Sequence, residues 1–213
     1  MKPDIDIIES ELQHRLPYVY KWYRKQNDQW DRYSDFIYTT VQWKELIPKI
    51  SGTISRLRLD KKEFFYYTIN RWYNYWSAVA VEFIFGTQPG IIPAKNKKNK
   101  LVDFLFFGEE FDHKTSVFPK GFNKSLAYAK EYPKQLLEWL YRNQSQGKRK
   151  HLENRMFIIV YSNDGEHWKL KSQISWLRGI ISTYVATFDD SKLYKLQLRQ
   201  DKITKAGLIW AVR

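Results

Sequence analysis

Cysteine is absent from the 213-residue chain, which excludes disulfide frameworks, thiolate nucleophiles, thiolate zinc sites and iron–sulfur clusters together. Any metal chemistry therefore falls to oxygen and imidazole ligands. Glycine is scarce, with nine residues, and they form neither G-x-G-x-x-G nor G-x-x-x-x-G-K-[ST], so nucleotide cradles of those kinds are missing. No G-x-S-x-G elbow is present. The four histidines, at 14, 113, 151 and 167, show no H-x-x-x-H spacing, which argues against a structural zinc. Long apolar runs are lacking too: Phe157–Tyr161 and the neighbourhood of Ile180 and Ile181 fall far short of the roughly 18 residues of a membrane span. The opening MKPDIDIIESE has no apolar core of the secretory kind. These absences lead to the expectation of a soluble, cytoplasmic protein without membrane association.

Negative charge is in deficit. Lys plus Arg number 36 against 23 Asp plus Glu, a formal charge of +13, and such a surface gathers polyanions by long-range attraction. The chain is nevertheless no disordered basic tail: 43% of it is hydrophobic, with nine Trp, fifteen Tyr and thirteen Phe. Its length suits one domain with a full core. No fixed-period repeat and no Pro/Ser/Gly-rich linker divides it, so residues 1–213 are read as a single domain.

From residue 5 to about 85 the pattern is helical. Between Phe64 and Phe85 the residues Phe65, Ile69, Trp72, Tyr73, Trp76, Val79, Ala80 and Phe83 recur at three- and four-residue steps, and Gly86 stops the helix. Core packing explains such a stripe. Trp22, Tyr23, Trp30 and Tyr33, set among basic residues, are candidates either for core packing or for stacking single-stranded bases. After a basic loop the run Leu101–Phe107, then Gly108-Glu109, then Glu110–Phe118 reads as an antiparallel hairpin with a type II′ turn. Leu126, Ala129, Leu136, Leu137, Leu140 and Tyr141 predict a helix whose better part starts at Pro133. Met156–Tyr161 reads as a buried strand ended by Asn163-Asp164-Gly165. Gln173–Phe188 predicts another helix, and Tyr194–Leu198 with Leu208–Val212 a closing strand pair. The order implies an α/β fold, a mixed sheet with helices on its faces.

With Gly108-Glu109 as the turn, Phe107 pairs with Glu110 and Asp103 lies opposite Lys114. Alternation then places Asp103 on one face with Asp112 and Lys114. Phe104, Phe106, Phe111 and Val117 flank them, so these charges need a partner or a metal. Two carboxylates suit Mg²⁺ completed by a substrate phosphate, and an adjacent lysine suits the orientation of water and the developing charge. Glu110, beside the turn, is read as solvated. A surface ion pair is the plainer reading of Asp103, Asp112 and Lys114, and a helix's polar face that of Glu82.

Asp103, then Asp112-His113-Lys114, with Glu82 upstream on the aromatic helix, resembles the PD-(D/E)XK nuclease superfamily over roughly residues 70–161. Val102 stands where the family name has Pro, and Asp112 is the Asp form of the second acid. The resemblance implies a restriction-endonuclease-like core over about 63–213, with a helical N-terminal extension over about 1–62. It implies that Asp103 begins the second core strand, that Asp112 and Lys114 lie on the third, and that Glu82 sits on the first core helix facing the site. It further implies a DNA endonuclease using Mg²⁺, with Mn²⁺ as a substitute. Asp103 and Asp112 would bind the ion, Lys114 would orient the attacking water, and Glu82 would hold an ion-bound water or a second ion. His113, on the opposite face, would offer its backbone carbonyl alone. Many relatives pair to cut both strands, so a homodimer is an expectation of the resemblance only. For gripping the nucleic-acid backbone the candidates are Lys97, Lys98 and Lys100 before Asp103, and Arg142, Gln144, Lys148, Arg149 and Lys150 in the later basic stretch. Two readings of other classes stand beside this one: a non-catalytic nucleic-acid-binding module with the same fold, and an interaction component meeting an acidic partner.

Overall fold

The computed structural model describes residues 3–26, 29–96, 101–143 and 151–213. The chain is an α/β protein, N-terminal helices followed by a six-stranded mixed open sheet with interspersed helices. It forms two compact units, one of residues Met1–Ala80 with Lys171–Ser175, the other of Val81–Leu170 with Trp176–Arg213. The division falls within a helix, after Ala80.

The first unit holds α1 (Ile5–Gln13), α2 (Gln29–Tyr33), α3 (Trp43–Leu57) and most of α4 (Lys61–Gly86). Asp4 starts α1 by accepting the N–H groups of Asp6 and Ile7 at 3.1 and 3.0 Å, which satisfies donors the helix itself cannot. Along α4 the aromatic stripe is core: Phe64, Tyr67, Trp72 and Tyr73 are fully buried. Trp30 is buried as well and meets Phe64 and Tyr67 edge-on. Trp22 packs on Tyr67 and Tyr23 on Tyr66. Two charges are built into this core. Arg15 donates to Asn70 and to the carbonyls of Tyr18 and Val19, and Arg71 pairs with Asp31, as buried guanidinium groups must.

The second unit carries the sheet: β1 (Ile91–Pro93), β2 (Phe104–Phe106), β3 (Glu109–Val117), β4 (Arg155–Tyr161), β5 (Leu193–Leu196) and β6 (Thr204–Val212), in the spatial order β1-β2-β3-β4-β6-β5. β1–β2 and β2–β3 pair antiparallel, β3–β4 and β4–β6 parallel, and β5 closes antiparallel on β6. Between β3 and β4 lie α5 (Leu126–Glu131) and α6 (Pro133–Arg142), and α7 (Ile174–Ala186) precedes β5. Pro133 occupies the first turn of α6, where its missing N–H costs nothing. Leu136, Leu137, Leu140 and Tyr141 of α6 pack with Phe157, Ile159 and Leu208 on one sheet face. On the other, Phe104 stacks on Phe85 of α4 at 4.8 Å, and Phe106 meets Phe188 at 4.7 Å. Paired on both edges and covered on both faces, β4 is an apolar run with only its last residue partly exposed.

The hairpin differs from the sequence reading. Its turn is Phe107-Gly108, with Phe106 opposite Glu109 and Phe104 opposite Phe111, and both turn residues have positive φ, 46° and 88°, as a I′-type turn requires. Tertiary packing selects this register. The Phe107 ring stacks on Phe188 at 4.9 Å, and its N–H donates to the Gly90 carbonyl at 2.9 Å. The pairing is therefore two residues away from the expected one, and Asp103 does not lie opposite Lys114. A two-residue slip preserves faces, so Asp112 and Lys114 still share one side of β3.

Candidate active site

β2 begins at Phe104, so Asp103, just before it, lies outside the paired ladder while β3 continues alongside. The Asp103 N–H donates to the Phe111 carbonyl at 2.9 Å. Its carboxylate then takes the place of a missing strand: Oδ2 accepts the His113 backbone N–H at 2.9 Å and contacts His113 Nδ1 at 2.6 Å. The imidazole lies on the face opposite Asp112, as alternation demands, near Phe104 and Phe85. Its ring is thus a partner of the first acid, where the sequence reading gave a role only to its carbonyl.

Burial works against charge on both groups, and each overcomes it through the other. The hydrogen bonds and charge of His113 hold the Asp103 carboxyl well below the usual carboxylate range. The hydrogen bond to Asp103, then the charges of Asp103, Asp112 and Glu82, lift His113 above its ordinary value. Glu82, exposed on the last turns of α4, is thereby electrostatically linked to the site. Asp112 also contributes to holding the Asp103 carboxyl low.

Asp112 is only 5% exposed. Across the parallel pair it faces Arg155, which is 2% exposed and directs both Nε and a terminal nitrogen to Asp112 Oδ2 at 2.6 Å. His151 Nε2 reaches the same oxygen at 3.1 Å and also meets the guanidinium. The rings of Tyr141 and Phe157 lie 5.9 and 5.7 Å from the guanidinium carbon. The His151 Nδ1 accepts the Glu153 N–H at 3.2 Å, and Tyr141 donates to the Glu153 carbonyl at 2.9 Å, so the cluster is tied to backbone. Lys114 stands two residues beyond Asp112 on the same face, half-buried.

The structure bonds Asp103 to His113, the neighbour of Asp112 on β3, with Lys114 one step along the strand and Glu82 on the helix whose Phe85 lies near His113. Arg142 ends α6 exposed, paired with Glu138 at 3.3 Å. Lys97, Lys98, Lys100, Gln144, Lys148, Arg149 and Lys150 lie outside the described residues. A cleft of about 230 Å³ lined by Leu101, Val102, Glu110, Glu153, Asn154 and Lys202 adjoins both acids through the chain: Val102 precedes Asp103, and the Asn154 carbonyl accepts the Asp112 N–H at 3.1 Å. Glu153 in this cleft is held below its usual range mainly by a hydrogen bond from Lys202.

Sequence reasoning missed Arg155, His151 and the ring of His113. A signal for the first was present, because a charge opening an apolar, buried strand needs a partner, and the register across β3 and β4 supplies Asp112. Among the described residues no group of three or more His, Asp or Glu side chains is arranged to hold a metal ion. The Asp103–Asp112 pair offers two hard carboxylates. In both residues it is Oδ2 that the neighbouring histidine and arginine take. Two carboxylates are the least that a Mg²⁺ completed by waters and a substrate phosphate would require of the protein.

No helix among the described residues is long and apolar enough to cross a membrane. No protein-family model, curated protein or solved structure matches the chain.

Proposed function

We propose that this chain is a metal-dependent nuclease of the PD-(D/E)XK type, hydrolysing DNA phosphodiester bonds with Mg²⁺. The observation that carries the reading is Asp103, just before β2, bonded to His113 between Asp112 and Lys114 of β3, with Lys114 on the Asp112 face. The element order supports it: helix α4 with Glu82, three strands, helices α5 and α6, then β4, with Asp103 directly before the second strand and Asp112 and Lys114 on the third. Charge supports it as well. The sheet-bearing unit holds 22 of the 36 Lys and Arg but 13 of the 23 Asp and Glu, so most of the excess that would attract a polyanion belongs to the unit with the site.

On this reading Asp103 and Asp112 hold the ion, which supplies Lewis acidity toward a phosphoryl oxygen and acidifies water. Lys114 orients the attacking water and meets developing negative charge. His113 and Arg155 hold the two carboxylates in place through their Oδ2 atoms.

The pairing of Asp112 with Arg155 favours a second reading, because this carboxylate is already neutralised by protein groups. A nucleic-acid-binding module of the same architecture would keep such a pair and need no metal. Incubation of purified protein with linear and supercoiled DNA, with Mg²⁺ or with chelator, separates the two. The nuclease reading expects cutting that needs the ion and disappears in Asp112→Asn and Lys114→Ala, both folded by circular dichroism. Cutting that persists in both variants overturns it, and salt-sensitive binding without cutting in either ion establishes the module.

A further inference from the structure

We propose that Phe122, Tyr128 and Tyr132, with the lysines around them, form a stacking platform for a single DNA strand at the elbow of α5 and α6. The proposal rests on the nuclease reading for DNA as the polyanion, goes beyond it in naming unpaired bases as the ligand, and uses none of the groups assigned to cutting.

The rings make one connected run. Tyr132 and Tyr128 stand 4.7 Å apart at 40°, Tyr128 and Phe122 6.5 Å apart, and Phe122 and Trp139 6.3 Å apart. The inner end is anchored, because Phe122 and Trp139 pack against the core under α6. The outer end is open: Tyr132, between the two helices, is 43% exposed, and Tyr128 is half-buried. Tyr128 is held from two sides, its N–H donating to Ser125 Oγ at 3.1 Å and its hydroxyl to Gln135 Oε1 at 2.9 Å. A ring fixed in this way loses little freedom when a base settles on it. Charge complements the rings. Between Pro119 and Asn143 the chain carries five Lys and Arg against two Glu. Glu138 is paired with Arg142 at 3.3 Å, and Glu131 is exposed next to Tyr132 in the chain. Lys120, Lys124, Lys130 and Lys134 are all exposed and, among the described residues, form no ion pair. Lys124 Nζ lies 5.2 Å from the centre of the Tyr128 ring, which puts a phosphate-binding charge beside a stacking surface. A duplex meets only the lysines, because its base faces already cover one another. An unpaired strand offers bases to the rings and phosphates to the lysines together.

The test is fluorescence anisotropy of a labelled dT strand of about fifteen nucleotides with the full chain in chelator, so that cutting plays no part. Wild type binds this strand about tenfold or more tighter than a duplex of the same length at the same salt, because the duplex offers no base to stack. Tyr132→Ala loses about fivefold or more, the scale of one stacked base, and Tyr132→Phe, which keeps the ring, stays within about twofold of wild type. Lys124→Gln and Lys134→Gln each reduce the dependence of affinity on salt by about one phosphate contact. Equal affinity for strand and duplex overturns the platform. So does a Tyr132→Ala variant with unchanged affinity, a Tyr132→Phe variant that falls as far as Tyr132→Ala, or an unchanged salt dependence in both lysine variants. Loss of binding to phosphatidylserine vesicles in Tyr132→Ala, with dT binding intact, assigns the rings to a lipid surface and overturns it too. Should Tyr132→Ala not fold by circular dichroism, the strand-to-duplex ratio and the two lysine variants decide. Failure of the nuclease reading shows separately, as a chain that binds the dT strand through these rings and cuts no DNA with Mg²⁺.

Discussion

The carboxylate of Asp103 acts as a strand: its Oδ2 accepts the backbone N–H of His113 at 2.9 Å and meets the ring of the same residue at 2.6 Å, extending the pairing of β3 past the first residue of β2. One side chain therefore terminates a sheet register and fixes the first acid of the proposed site. Asp103→Ala removes both bonds and leaves a partly buried N–H and an imidazolium without their acceptor. The expected loss is about 2 kcal/mol, the usual scale for hydrogen bonds to charged groups, read as a lower urea midpoint at pH 6.

The same pair predicts a pH window. His113 is raised above its ordinary 6.5, so its contribution is fully present below pH 6.5 and fades as pH rises through the elevated value. Asp103 is depressed below 3.8, so its contribution is present above that pH and is lost as pH falls through the depressed value. The ion pair accordingly stabilises most between about pH 4 and 6.5. The stability difference between wild type and His113→Gln, measured by urea denaturation, shrinks from pH 6 to pH 9. A difference that is flat or grows over that interval contradicts the assignment.

Breaking the buried Asp112–Arg155 pair from one side is costly. Arg155→Met leaves a carboxylate without its main partner, and the expected penalty is about 3–5 kcal/mol. Combining it with Asp112→Leu removes the orphaned charge and restores much of the loss, since an apolar pair of similar volume is often as stable as the ionic one. Thermal melts of the two single variants and the double variant test this. A double variant as unstable as the sum of the singles refutes the coupling.

Lys114→Ala is expected to separate chemistry from binding. On the nuclease reading it loses about 100- to 1,000-fold in cleavage, the scale for one group that stabilises transition-state charge, with DNA affinity in chelator changed by less than about threefold. Equal losses in cutting and affinity would instead make Lys114 a phosphate contact.

The hairpin turn has its own lever at Gly90. A Cβ there would overlap the Phe107 ring, and its φ is +76°, a region that costs other residues about 1–2 kcal/mol before any clash. Gly90→Ala should lower stability by about 2 kcal/mol or more, whereas Gly52→Ala, inside α3 with open space around the added methyl, should leave it unchanged or raise it slightly.

Much of the architecture was legible because it rests on local rules. The spacing along α4, Pro133 at the first turn of α6 and the apolar run of β4 each announce their element, and the structure places all three where periodicity does. The hairpin register was not legible, because it is set by Phe107 packing on Phe188, a contact 81 positions away in the chain. Asp112 and Lys114 share a face by alternation alone and survive the two-residue slip. The Asp103–His113 bond escapes alternation altogether, because Asp103 has left its strand and its side chain reaches across the sheet edge. Arg155 and His151 come to Asp112 from beyond a crossover, a neighbourhood fixed by parallel pairing and invisible to spacing along one segment.

The unequal strand lengths have a thermodynamic side. β1 and β2 contribute three residues each, whereas β3, β4 and β6 contribute nine, seven and nine, so the flank ending in Asp103 is a short ribbon on a long-laddered slab. Ribbons of that size open at a fraction of the global free energy. Amide protons of Phe104–Phe106 thus exchange in advance of those of Phe157–Val160, and each such opening lifts one acid away from the other while the slab keeps Asp112 where it is.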